Sequence, residues 1–171
     1  MSMNNIEKIT QRDKSEYIGD IVLSDRCIVS DPCYCNQSYG CWCEMVNMLP
    51  GNYRCFIKKN NDGLVSALYI YHEKYIRKPK TMIDFVSVDS GQAGFYDSDY
   101  FIKTRGKDDE EWKWYKEICS LTYHSDSSEL TGGTKDKKCC VSSSGDGDGS
   151  YPLLIHRNSK GQIVSACIQY L

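Results

Sequence analysis

The chain has 171 residues, of which 21 are basic and 23 acidic, and its formal net charge at pH 7 is -2. A net charge so close to zero supplies no global field that would attract a long nucleic acid or an anionic membrane surface. We expect one domain over 1–171, large enough to bury about 70% of its unfolded surface without needing disulfides.

The chain contains ten cysteines, but no apolar run near its start is typical of an export signal. It also has no stretch of about eighteen consecutive apolar residues, which a membrane-spanning helix needs. We therefore expect a cytoplasmic protein that does not enter a membrane. Its cysteines are then expected to be reduced thiols.

The first part of the chain predicts short strands. Residues 1–17 are polar and predict a loosely held lead-in. Short β-branched runs around Ile21 and Ile28 predict two strands joined by a tight turn. A second pair of strands is expected within 33–46. The alternating stretch 65–72 predicts the return strand of a hairpin.

One sequence pattern occurs twice, as GNYRCFIKKNNDGLV at 51–65 and as GSYPLLIHRNSKGQI at 149–163, with a constant offset of 98. The identical positions shape a β-hairpin, because they supply an initial glycine, apolar strand positions and a polar turn closed by glycine. In the first copy they are Gly51, Tyr53, Ile57, Asn60 and Gly63. We predict two repeated β units, over about 19–73 and 83–171.

The second unit is predicted to contain an insertion with one helix, at about 108–121. Four acidic residues at its start suit the positive end of a helix dipole, and Trp112, Tyr115 and Cys119 would then share one face. The next stretch, 124–147, is rich in Ser, Gly, Asp and Lys and predicts a long loop with a short strand near its end.

These elements predict a mainly β fold made from the two repeated units and the inserted helix. Each unit alone leaves one apolar face uncovered. We therefore expect an antiparallel sandwich or a partly closed barrel.

Four stretches of the chain resemble the family catalogued as domain of unknown function 4241. They are VSDPCY at 29–34, LPGNYRCFI at 49–57, VSVDSGQAGFYD at 86–97, and the C-terminal segment that begins VSSSGDGDGSYP at 141. Asp146 departs from the family pattern, in which we expect an aromatic residue. The resemblance spans nearly the whole chain and implies no particular activity or cofactor.

Acidic turns at the strand ends are the first candidate site. Asp25 and Asp31 in the first unit, and Asp89 and Asp97 in the second, lie at strand ends, and Asp31 corresponds to Asp97. Clustered carboxylates can hold a hard cation or do acid–base work, but in turns they also accept hydrogen bonds from backbone N–H groups. Turn chemistry and the family resemblance together predict these polar ligand contacts: Asp31, Asp89, Ser90, Asp97, Ser144 and Asp148.

Two further motifs have alternative interpretations. Cys33, Cys35, Cys41 and Cys43 could bind zinc through four thiolates, although strand neighbours two apart diverge by about 6–7 Å, which favours buried thiols instead. The glycine-rich turn at 145–149 could cradle an anion with its N–H groups, or it could simply begin a hairpin.

The sequence favours a non-enzymatic binding module that holds a small polar ligand or a partner protein between the two units. The first alternative is a metal-assisted hydrolase that uses the clustered carboxylates. The second is an inhibitory or structural protein that acts through an aromatic surface. The three histidines show no spacing typical of a catalytic triad, so no catalytic residue is indicated. The sequence also indicates no cofactor and no oligomeric state.

Overall fold

The protein is described by a computed structural model over residues 4–36, 41–105 and 112–171. Antiparallel strands form two main sheets with a hydrophobic core between them. The prediction of a mainly β fold is therefore confirmed. The sheets form a sandwich, and the described part of the chain contains no closed barrel.

The strands of the described ranges are numbered in chain order. Their bounds are β1 Glu16–Leu23, β2 Arg26–Ser30, β3 Cys43–Val46, β4 Gly51–Lys59, β5 Val65–His72, β6 Thr81–Val88, β7 Gln92–Asp97, β8 Tyr123–His124, β9 Glu129–Leu130, β10 Gly132–Lys135, β11 Cys139–Ser143, β12 Gly149–Arg157 and β13 Ile163–Gln169. The six-stranded sheet has the order β1-β4-β5-β13-β12-β6, and the five-stranded sheet has the order β10-β11-β7-β2-β3. Strands β8 and β9 form a separate pair.

The two sheets enclose the main core. Ile21, Tyr53 and Leu68 from the six-stranded sheet pack with Val29 and Phe95 from the five-stranded sheet, and all five are fully buried. Burial of each side chain of this size contributes about 1.5–3 kcal/mol. The core therefore holds the two sheets together.

The repeated sequence forms two hairpins. Strand β12 has bounds that lie 98 residues after those of β4, and β13 begins 98 residues after β5. Gly63 N–H donates to Asn60 O at 3.2 Å, and Gly161 N–H donates to Asn158 O at 3.0 Å. Both glycines have φ +80°, which only glycine adopts at low cost. Local turn chemistry thus gives both hairpins the same backbone path.

The predicted inserted helix is confirmed as α3, Lys113–Thr122, and its expected first residues 108–111 lie outside the described ranges. Its apolar face packs Trp114 and Ile118 against the outer side of the five-stranded sheet. None of the helices in the described ranges has the length and apolar character needed to cross a membrane.

The prediction of a loose lead-in is wrong, because Asn5–Asp13 forms helix α1. Asn4 and Glu7 form a reciprocal capping box, and Ile9 is buried against the outer side of the six-stranded sheet. The structure also contains more helices than the single one predicted, since Ser98–Arg105 forms helix α2 directly after β7.

Two loop and strand predictions also need correction. Residues 33–36 are not a strand, because Pro32–Asn36 forms a 3-10 turn, and β3 pairs with β2 instead. Residues 37–40 of the predicted pair lie outside the described ranges. The predicted loop 124–147 contains β9 and β10, and the short strand expected near its end is β11. Strand β10 pairs with β11, which a count of polar residues cannot reveal.

Candidate functional site

The turn between β6 and β7, residues 89–91, is held by one buried carboxylate. Asp31 is fully buried, and its Oδ2 accepts the N–H groups of Asp89 at 2.8 Å and of Ser90 at 2.7 Å. Its Oδ1 accepts the Ser90 hydroxyl at 2.6 Å and the Cys33 N–H at 2.7 Å. Because hydrogen bonds to a charged group each contribute about 1.5–3 kcal/mol, Asp31 fixes this turn.

Other residues of the predicted site surround the same turn. Ser144 N–H donates to Gly91 O at 3.0 Å, and Asp148 Oδ1 accepts the Gly91 N–H at 3.1 Å. The Asp89 carboxylate accepts a hydrogen bond from the Tyr34 hydroxyl. Burial and this carboxylate raise the pKa of Tyr34 above its ordinary value. The structure thus brings Asp31, Asp89, Ser90, Ser144 and Asp148 together.

Asp97 lies away from this group, at the opposite end of β7. Six residues of β7 span roughly 17 Å at the rise of an extended strand. The Asp97 carboxylate accepts the N–H groups of Ser24 at 2.9 Å and Tyr100 at 3.4 Å. It therefore holds the turn between β1 and β2 and the start of α2.

A cleft of about 580 Å³ opens beside the turn at 89–91. It lies between that turn, the end of α3, the loop at 143–147 and the turn of the first hairpin. Its volume is in the range typical of small-molecule sites. The lining residues are Leu64, Ser90, Gly91, Gln92, Cys119, Thr122, Tyr123, Leu130, Ser143, Ser144, Gly145, Asp146 and Gly147.

A hydrogen-bonded set of polar side chains forms one side of the cleft. Gln92 is 6% exposed, and its Oε1 accepts the Thr122 hydroxyl at 2.9 Å. Its Nε2 donates to Ser90 Oγ at 3.4 Å and to Cys119 Sγ at 3.3 Å. The Tyr115 hydroxyl also interacts with Ser90 and Cys119, and burial raises the pKa of Tyr115 to about 12. These bonds hold the polar surface in one arrangement.

The family comparison concerns this half of the chain. The family model described as "Protein of unknown function (DUF4241)" matches residues 85–168. These residues are therefore similar to that family. The resemblance predicted from the sequence is thereby confirmed for this segment. No curated protein and no solved structure matches the chain.

The DUF4241 match contains the turn at 89–91 and every lining residue of the cleft except Leu64. Sequence reasoning missed Gln92, Cys119 and Thr122 as site residues. The sequence predicts Cys119 on one face of the inserted helix, but no motif links it to Gln92, which lies 27 positions earlier in the chain. Residue spacing carries no signal for a contact of this kind.

The glycine-rich turn at 145–149 does not offer a row of open N–H groups for an anion. The N–H groups of Ser143, Ser144, Gly145 and Gly147 donate to the carbonyls of Thr131, Gly91, Val65 and Ser144, at 2.8–3.0 Å. Asp146 is exposed at the rim of the cleft, where the family pattern predicts an aromatic side chain. The turn therefore gives the cleft a carboxylate rim.

The cysteine motif is not arranged on a hairpin as the zinc alternative requires. Cys33 lies in the 3-10 turn, Cys43 lies in β3, and the Cys35 side chain is outside the described part. Cys43 Sγ lies 3.1 Å from Phe85 O, and burial with nearby Asp84 raises its pKa to about 12. Among the described residues, no three His, Cys, Asp or Glu side chains are grouped to hold a metal ion.

An exposed apolar edge lies elsewhere on the protein, at β6. Met82, Ile83 and Phe85 are 54%, 43% and 51% exposed on this edge strand of the six-stranded sheet. Phe85 N–H is bonded to the Asp84 side chain at 2.8 Å, and its carbonyl accepts the Cys43 thiol. These internal bonds oppose the addition of another strand at Phe85, because both of its backbone groups are already used.

Proposed function

We propose that this protein is a non-enzymatic binding module that holds a small polar ligand in the cleft beside the turn at 89–91. One observation carries the proposal. A cleft of about 580 Å³ is lined by a fixed set of hydrogen-bonding side chains, centred on buried Gln92, and by apolar walls that include Leu64 and Leu130. This combination is typical of small-molecule sites.

The bonds around Ser90 favour binding over catalysis. Its hydroxyl donates to Asp31, a carboxylate that already accepts three other hydrogen bonds, and accepts from Gln92. The described lining of the cleft contains no histidine, the usual activating base of a serine nucleophile. Asp31 is fully buried and accepts four hydrogen bonds, which is the role of a structural carboxylate. The metal-assisted hydrolase therefore gains no support from the described carboxylates.

We favour a small molecule over a partner protein for this cleft. The exposed β6 edge is the feature that supports an interaction protein, but the internal bonds of Phe85 oppose strand addition there. The cleft is concave and contains ordered polar groups, which suits a ligand that enters it.

A matched pair of substitutions tests the cleft. Leu64 follows Gly63 in the first hairpin turn and lines the cleft, whereas Gln162 follows Gly161 in the second turn and does not. Leu64→Trp is expected to fill the mouth, and Gln162→Trp makes the same change away from it. Native mass spectrometry should show a copurified small molecule in wild type and Gln162→Trp but not in Leu64→Trp. Equal occupancy of all three would refute this location.

We also propose that the two units arose by internal duplication and share a pseudo-two-fold axis. The order β1-β4-β5-β13-β12-β6 reads as one unit followed by its reverse, which supports this origin. At its centre Tyr69 pairs with Cys167, 98 residues later.

The duplication is tested at the two equivalent turn glycines. Nothing lies within 4 Å of a Cβ added at Gly63 or Gly161, so each substitution to Ala costs only backbone strain. We expect equal losses of unfolding free energy, about 1–2 kcal/mol each, in urea titrations. A clearly larger loss at one glycine would contradict the equivalence of the two turns.

The cytoplasm is our proposed compartment. Within the described part of the chain, no cysteine side chain forms a disulfide. Reduced thiols are typical of a reducing environment, which supports this compartment.

A further inference from the structure

We propose that the cleft binds a small organic cation, with its ammonium group against the Asp146 carboxylate. This inference rests on the proposed binding function and adds the charge and the chemical class of the ligand. It follows from the charges at the cleft rim and from the positions of the apolar walls.

The rim carries a negative charge that no ion pair among the described residues neutralises. Asp146 supplies the charged side chain of the lining, and no Lys or Arg belongs to it. Asp148 lies close by, since its Oδ1 accepts the N–H of lining residue Gly91. Among the described residues, neither carboxylate takes part in an ion pair. A cation at the mouth would therefore gain attraction, and an anion would be repelled.

A nearby side chain responds to the same charges. Tyr151 donates a hydrogen bond to Gly147 O at 2.7 Å, so its hydroxyl lies against the loop that carries both carboxylates. Burial raises the pKa of Tyr151, and Asp146 and Asp148 raise it further because they oppose a phenolate. A local field that opposes a negative charge favours a positive one.

The backbone of the same loop gives little to an anion. The N–H groups of Ser143, Ser144, Gly145 and Gly147 already donate to carbonyls of the protein. An anionic ligand would thus meet a carboxylate rim with few free donors. This arrangement is the opposite of a phosphate-binding loop.

The apolar walls indicate an aliphatic body for the ligand. Leu64, Tyr123 and Leu130 line the cleft together with the polar side chains Gln92 and Thr122. A short alkyl chain can contact these walls while a terminal ammonium group reaches the rim. We therefore assign the site to small aliphatic amines.

Three probes with the same four-carbon chain separate charge from shape. They are 1,4-diaminobutane, 1,4-butanediol and succinate, titrated into the full chain by calorimetry at pH 7. We expect the diamine to bind most tightly, the diol more weakly and succinate not at all. Diamine binding should weaken with added salt, because the rim carboxylate is exposed to solvent.

The variant Asp146→Asn tests the counter-ion. It should weaken diamine binding by up to about fivefold, the range of an exposed ion pair, and leave diol binding unchanged. Asp99→Asn makes the same charge change on the exposed surface of α2, beyond the far end of β7, and should leave both affinities unchanged. Circular dichroism of both variants checks that the fold is intact.

The outcomes separate the two proposals. Equal binding of diol and diamine that Leu64→Trp abolishes would overturn the cation inference and still support a polar-ligand cleft. Tighter binding of succinate, or an equal effect of Asp146→Asn and Asp99→Asn, would also overturn the inference. Failure of all three probes, together with no copurified molecule, would overturn the binding function itself.

Discussion

Asp31 and Asp97 lie at opposite ends of the paired strands β2 and β7, and each holds a turn that belongs to the other predicted unit. Asp31, from the first unit, accepts the N–H groups of Asp89 and Ser90 in the second. Asp97, from the second unit, accepts the N–H of Ser24 in the first. Asp31 and Asp97 therefore join the segments 19–73 and 83–171 by reciprocal hydrogen bonds.

This relationship predicts unequal effects of two matched substitutions. Asp31→Asn removes a charge that accepts four hydrogen bonds and places an amide donor against N–H donors. We expect a loss of at least about 2 kcal/mol in unfolding free energy, measured by guanidinium titration. Asp97→Asn affects two hydrogen bonds, one of them 3.4 Å long, and a 4.0 Å ion pair with half-exposed Lys138, and should cost about 1 kcal/mol. The reverse order of the two losses would contradict this assignment.

Removal of the Tyr96 hydroxyl is expected not to destabilise the folded protein. Within the described residues this oxygen is buried without a hydrogen-bond partner, while the ring packs against Phe101 at 4.9 Å. Tyr96→Phe keeps the ring and removes the unsatisfied group, so we expect an unchanged unfolding free energy or a gain of about 1–2 kcal/mol.

Tyr53→Phe is the control for that change. Its hydroxyl donates to Leu49 O at 2.8 Å and to Ile163 O at 3.0 Å, so its removal should cost about 1–2 kcal/mol. Urea unfolding of both variants gives the comparison. A loss at Tyr96 as large as at Tyr53 would show that the Tyr96 hydroxyl does have a partner.

His72 predicts a pH dependence of stability. Burial lowers its pKa below the ordinary 6.5, and its Nδ1 accepts the Lys74 N–H at 3.2 Å, which protonation would break. The unfolded chain then binds the proton more readily, so the unfolding free energy should fall as the pH drops below about 6.5. His72→Phe keeps the aromatic contact with Tyr53 and removes this dependence.

Unfolding titrations from pH 5 to pH 8 test the His72 prediction. The curves for wild type and His72→Phe should run parallel above pH 7 and converge below it. If the two curves stay parallel throughout, His72 is not the titrating group.

Thiol reactivity should differ sharply between two cysteines that are close in sequence. Cys41 is exposed, whereas Cys43 is partly buried with a pKa raised to about 12. Because the thiolate is the reactive form, iodoacetamide at pH 8 should alkylate Cys41 much faster than Cys43. Buried Cys27, Cys55 and Cys139, whose pKa values are also raised by burial, should react only after unfolding. Peptide mass mapping over time provides the measurement.

Sequence reasoning succeeded where the signal is local. The return strand at 65–72 follows from its alternation, and the helix α3 follows from its apolar face. Helix α1 also has a local signal, the Asn4–Glu7 capping box. The prediction of a loose lead-in followed instead from the many polar residues of this segment. Strand β10 has no such signal, because Gly132–Lys135 is extended only through its pairing with β11.

The amino-acid order by itself determined the two hairpin turns, since Asn60–Gly63 and Asn158–Gly161 close through bonds between residues three positions apart. Only the tertiary structure decided which polar groups meet at the cleft. The Ser90–Asp31 bond joins residues 59 positions apart, and the Thr122–Gln92 bond joins residues 30 positions apart. Such contacts depend on how the sheets pack and on where α3 lies across the five-stranded sheet, and residue spacing does not encode either.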